Sequence, residues 1–129
     1  MARLLAILLG LLFAANGLYM LFAAQAWYQA VPGVAETGPF NRHFVNDIGA
    51  AFLVAAGGLL WAAWKPRQGW PALVAGAAFL ALHALVHFAE VLDGHGMHAL
   101  LRDLRGVYAP AALALVLVFV LRPKGETSC

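Results

Sequence analysis

Four long apolar runs occupy most of the 129 residues, at about 4–28, 41–64, 70–92 and 104–121. Each is near the roughly 20 residues that an α-helix needs to cross a bilayer. Inside hydrocarbon every backbone polar group must be satisfied internally, so runs of this kind fold as helices. The expected fold is therefore all-α: an integral membrane four-helix transmembrane bundle forming a single domain over 1–129. Composition agrees, with 64% hydrophobic and 11% charged residues and a mean hydropathy of +0.81. A soluble domain carries about 25% charged residues.

The first run follows Arg3 and ends in Trp27-Tyr28, which suits an aromatic anchor at the membrane interface. Ala24-Gln25-Ala26 imitates a signal-peptidase site, but the apolar run is long for a signal sequence, so a retained helix is the preferred reading. Gly10, Ala14 and Gly17 form a small-residue stripe, and Asn16 is expected to bond a neighbouring helix. Residues 29–40 hold Pro32, Gly33, Gly38 and Pro39 and read as a loop. Asn41 is a plausible N-cap for the second run, in which Gly49, Gly57 and Gly58 permit close helix contact. Trp61 and Trp64 mark its far end. Pro71 is expected in the first turn of the third helix. Residues 93–103 read as a loop whose second half, from His98, forms a short interfacial helix. The fourth run is apolar after Arg105 and Tyr108 and suits lipid contact.

Lys and Arg near the segment ends set the orientation. Arg3, Lys65, Arg67, Arg122 and Lys124 share one side, against Arg42, Arg102 and Arg105 on the other. Five against three favours both termini inside the cell.

With that topology, the ionisable groups are not scattered. All five histidines and five of the six acids (Glu36, Asp47, Glu90, Asp93, Asp103) fall on the outer half. His83, His87 and Glu90 lie at i, i+4 and i+7, on one face of the third helix. His43 and Asp47 lie at i and i+4 near the start of the second. At 1.5 Å rise per residue, His43 should be level with Glu90 and Asp47 with His87. Ionisable side chains at membrane depth are costly and need partners or a purpose.

His43, Asp47, His83, His87 and Glu90 are thus the candidate site, a metal centre or small-ligand pocket between helices two and three. Imidazole with carboxylate suits a divalent zinc, iron, manganese or copper ion. Haem b held by His43 and His87 is a weaker option. His95, Met97 and His98 in the following loop offer copper ligands. The same residues also suit a purely structural reading, in which His87 pairs with Asp47, or His43 with Glu90, to fix helix register.

Several classes are excluded. There is no basic patch interleaved with aromatics for nucleic acid, and no phosphate loop, nucleophile elbow or HExxH zinc helix. Cys129 is the sole cysteine, so no intrachain disulfide or Cys-based metal cluster forms. The partners expected besides the lipid bilayer are a larger membrane complex, for which the chain would be an accessory subunit, or a second copy. A homodimer would be required if the chain were a proton-coupled carrier.

The stretch Phe-Asn-Arg-His-Phe-Val-Asn-Asp-Ile-Gly at 40–49, with the size and helix count, resembles the small four-helix bacterial membrane proteins grouped as DoxX-like. That resemblance implies a bacterial inner-membrane location and a link to quinone or redox partners. It assigns no site residue.

Overall fold

A computed structural model describes residues 1–123, and residues 94–96 by their backbone alone. Lys124, counted above among the inner charges, and Cys129 lie outside the described residues. The elements are α1 (Ala2–Phe22), α2 (Ala24–Ala30), a 3-10 turn (Val34–Glu36), α3 (Arg42–Trp64), α4 (Pro66–Glu90), α5 (Gly96–Asp103) and α6 (Ala109–Val120). Two π-helical turns, Val91–His95 and Leu104–Tyr108, join α4 to α5 and α5 to α6. There is no strand among the described residues. Four helical stretches are long and apolar enough to cross a membrane: Ala2–Phe22, Arg42–Trp64, Pro66–Asp93 and Met97–Val120. The chain is accordingly an all-α bundle of the kind found in integral membrane proteins. Its outside is covered with exposed leucine, valine and phenylalanine, such as Leu8, Leu11, Val54, Leu85 and Phe119.

Small residues set how closely the helices approach. The most extensive pairing is α1 with α3, followed by α3 with α4 and α4 with α6. A Cβ on Gly17 would stand 2.7 Å from the Gly49 carbonyl oxygen, so α1 and α3 cross backbone to backbone there. Gly58 meets the Ala72 backbone, and Gly69 meets that of Trp61 and Ala62, in the same way between α3 and α4. Gly57, expected to share this role, faces open space. In a bilayer, association rests on such van der Waals fit because lipid chains are as apolar as the helices.

Side-chain hydrogen bonds fix the ends. Asn41 caps α3, its side-chain oxygen accepting from the Phe44 N–H at 3.2 Å. The α3–α4 turn is tighter than expected: α4 starts at Pro66, directly after Lys65, and Pro71 lies inside the helix. Trp70 donates from Nε1 to the Val118 carbonyl at 2.8 Å, tying the start of α4 to the end of α6.

At the other end the expected first segment breaks at Ala23 (φ −139°, ψ 47°). The break lets α2 fold so that Trp27 Nε1 donates to Asn16 Oδ1 at 2.9 Å. Trp27 is therefore hydrogen-bonded inward, to Asn16. Tyr28 donates to the Gly38 carbonyl at 2.5 Å and its ring packs on Phe40. These contacts hold the loop after α2 down over the bundle.

Residues 93–103 are helical throughout. The glycines at 94 and 96 do not end the helix, because a π turn absorbs the change in register. The second π turn has a physical cause in Pro110, which has no amide hydrogen to give the carbonyl four residues back. The ladder widens ahead of it, and Ala109 N–H bonds the Leu104 carbonyl, five residues away.

Candidate functional site

The buried stripe of α4 runs Gly69, Leu73, Gly76, Ala77 and Leu80. Continued at helical spacing, it reaches His83 and then His87. Both imidazoles accordingly face the bundle interior, as the spacing predicted. His83 meets the Phe52 ring edge-on at 5.5 Å and stacks on Phe79 at 5.9 Å. The His83 and His87 rings meet edge to face at 4.8 Å.

The partner of His87 is Asp103, not Asp47. His87 Nδ1 lies 2.9 Å from Asp103 Oδ2, and the Asp103 side chain is only 9% exposed. An ionised carboxylate can only accept, so Nδ1 donates and Nε2 is left as the free acceptor. Arg102 secures the same carboxylate, with Nε donating to Oδ1 at 2.9 Å and Nη2 to Oδ2 at 3.4 Å. Its Nη1 donates to Glu36 Oε2 at 3.0 Å, in the loop after α2. A continuous polar chain thus runs Glu36, Arg102, Asp103, His87 and His83, from an exposed loop to the interior.

Gly33 explains how the loop gets so close. Its φ of +85° is in the left-handed region, where glycine is the residue without steric cost. A Cβ there would also collide with the Arg102 guanidinium. The loop backbone therefore lies directly on Arg102.

Beside this chain is a cavity of ≈ 380 Å³. Leu12, Phe13, Ile48, Phe52, Val107 and Pro110 supply apolar wall, and residues 31–34 with Thr37 form its loop side. His83, His87, Asp103, Arg102, Arg105 and Asn16 are its polar groups. Every membrane-length helix contributes, as does the loop after α2.

The expected site divides. His83 and His87 line the cavity, whereas His43, Asp47 and Glu90 are not among its lining residues. The expectation that Asp47 meets His87 is corrected. The side chains of His43 and Asp47 are 88% and 63% exposed and contact each other, Nε2 to Oδ2, at 3.4 Å. The reason is rotational. Val45, Gly49 and Phe52 form the buried face of α3, and Asp47 is two residues from Val45 and from Gly49, about 200° around the helix. The spacing within each helix holds, but the two faces do not turn towards each other. The haem arrangement with His43 opposite His87 fails on the same rotation.

Among the described residues, no group of three or more His, Cys, Asp and Glu side chains is placed to hold a metal ion. His98 is exposed on α5, and the side chain of His95 lies outside the described residues. The residues that sequence reasoning missed are Asp103 and Arg102, placed at the end of a short interfacial helix and given no part in the site. A signal for them did exist. Asp103 is an acid adjoining an apolar run of membrane length, and His87 is a histidine in another such run at the same end of the bundle.

No family model matches the chain, and neither the curated proteins nor the solved structures contain a match.

Proposed function

We propose that the chain is a small-ligand-binding membrane protein whose site is the cavity between its four long helices. The ligand is a small molecule with an apolar body and one hydrogen-bonding head. The observation that carries this reading is the cavity's lining. Apolar and aromatic walls surround a few fixed polar groups, in a volume within the 300–1,000 Å³ typical of ligand pockets.

His87 is the group proposed to meet the head. Asp103 holds its Nδ1, which fixes the ring and leaves Nε2 to accept a hydrogen bond or a proton. His83 adds a second ring nitrogen deeper in the cavity. The charge count near the helix ends supports an orientation with this cavity towards the outer face and both termini inside. A divalent metal is the less favoured occupant, because three of the five expected ligands lie outside the cavity lining. The accessory-subunit reading draws on the exposed apolar flank of α6, including Val116, Phe119 and Val120. Lipid covers such a flank equally well.

The test is thermal unfolding of purified protein in detergent with 1-naphthol or naphthalene, which share a ring system and differ by one hydroxyl. 1-Naphthol at about 100 times its Kd should stabilise the protein by about 2.7 kcal/mol. Naphthalene should do less. Ile48→Trp fills the cavity from α3 and should abolish the effect. Equal stabilisation of the wild type and Ile48→Trp would mean that the compound acts through the micelle, and the reading would fail.

A further inference from the structure

The hydrogen-bonding capacity of the cavity is unbalanced, and the imbalance bears on the charge of the ligand. Two arginines and one aspartate belong to its lining. The charge of Arg102 is matched: Nε and Nη2 donate to Asp103, and Nη1 to Glu36. The Asp103 carboxylate is matched in turn, accepting from Arg102 and from His87. Arg105 has no hydrogen bond or ion pair among the described residues. It follows Arg102 by three residues and so lies near it on the same side of the helix. Asn16, also in the lining, accepts at Oδ1 from Trp27 Nε1, while among the described residues its Nδ2 donates only to the Met20 sulfur at 3.5 Å. A thioether is a weak acceptor. The lining therefore holds a spare cation and a spare amide donor, and its one carboxylate already has a cationic partner.

From this imbalance we infer that the ligand is an anion: a carboxylate on a small apolar body, with Arg105 as the residue that selects for the charge. The inference rests on the cavity being a ligand site and adds the sign of the ligand's head. Arg105 attracts the carboxylate at the rim, where the low-dielectric walls strengthen the pull relative to water. The apolar body then lies against Phe13, Phe52 and Pro110.

The experiment compares 1-naphthoate with 1-naphthol on the full chain in a zwitterionic detergent, by calorimetry and thermal shift. Wild type should bind 1-naphthoate about tenfold more tightly than 1-naphthol, as expected for one partly desolvated charge pair. Raising the salt concentration should weaken only the 1-naphthoate. Arg105→Gln should bring the two affinities together, chiefly by weakening 1-naphthoate, and Arg105→Lys should restore part of the preference. Because Arg105 is exposed and has no hydrogen-bond or ion-pair partner among the described residues, neither variant should alter folding, which the unliganded melting temperature checks. If 1-naphthol binds as well as 1-naphthoate, or if Arg105→Gln leaves the preference intact, the inference is overturned and the cavity reading stands. If neither compound binds, both fall together.

Discussion

Replacing Asp103 by alanine tests whether the polar chain is as described. The substitution removes three contacts, at 2.9 Å from His87 Nδ1, 2.9 Å from Arg102 Nε and 3.4 Å from Arg102 Nη2. Breaking a buried charged pair by removing one member costs about 3–5 kcal/mol, mostly because the other member is left unpaired. Two features reduce the figure here. Arg102 keeps Glu36 at 3.0 Å, and the side chains of Arg102 and His87 are 19% and 22% exposed, enough for water to reach them. The expected loss is therefore about 3 kcal/mol. It should be measured by denaturant titration in mixed micelles, as a double-mutant cycle with His87→Ala. The cycle isolates the pair, and a coupling of about 1.5 kcal/mol is expected between Asp103 and His87. Asp47→Ala provides the contrast. Its side chain is 63% exposed and its ion pair, with His43 at 3.4 Å, is exposed too, so the change should cost less than about 0.5 kcal/mol. It should show no coupling to His87. Coupling of His87 to Asp47 rather than to Asp103 would refute the rotational placement of α3 and the site built upon it.

Gly33→Ala should lower stability by about 1–3 kcal/mol, from its φ of +85° and the collision with Arg102; proteolysis should then cut faster within residues 31–37. Gly17→Val should disrupt the α1–α3 crossing, since its Cβ would stand 2.7 Å from the Gly49 carbonyl oxygen, whereas Gly57→Ala, in open space, should be neutral or raise helix stability by up to about 1 kcal/mol. Both are read by the same denaturant titration. Trp70→Phe removes the bond to the Val118 carbonyl at 2.8 Å and should cost about 1 kcal/mol, with unchanged binding of 1-naphthol because Trp70 lies outside the cavity lining.

The four helices were readable because hydrocarbon tolerates little else over such runs, and Asn41 as a cap followed from residue type. The inward turn of His83 and His87 was readable as well, since both continue the apolar spacing of α4. The angular error at Asp47 had a visible remedy: Val45, Gly49 and Phe52 define the packing face at helical spacing, and Asp47 does not share it. The role of Asp103 was harder to see. It depends on two π turns, and Gly94 and Gly96 hide the first of them behind the usual signs of a loop. The fold of α2 onto Asn16 was beyond reach, because an irregular residue at Ala23 has no marker such as proline or glycine.

The volume beside the polar chain favours occupancy over a purely structural network. Cavities left by core substitutions cost about 24 cal/mol per Å³ when the surrounding structure cannot collapse. The ≈ 380 Å³ here opens partly to the surface, so only its enclosed part carries such a cost. A network needed only to fix helix register has no use for such a space: His87, Asp103 and Arg102 would pair equally well with larger side chains filling it. The opening instead coincides with glycine and small turns, at Gly33 on the loop side and Gly106 next to Arg105. Whatever fills it must satisfy apolar walls such as Phe13 and Phe52 together with the free nitrogen of His87. Water alone serves only the polar end, and a lipid acyl chain only the apolar walls. A molecule with both parts serves the two at once. If Ile48→Trp both blocked 1-naphthol and raised the unliganded stability by more than about 1 kcal/mol, the space would be a real cost in the empty protein that a ligand offsets. Lower stability in Ile48→Trp, with 1-naphthol still bound, would place the ligand elsewhere and return His87 and Asp103 to a structural role.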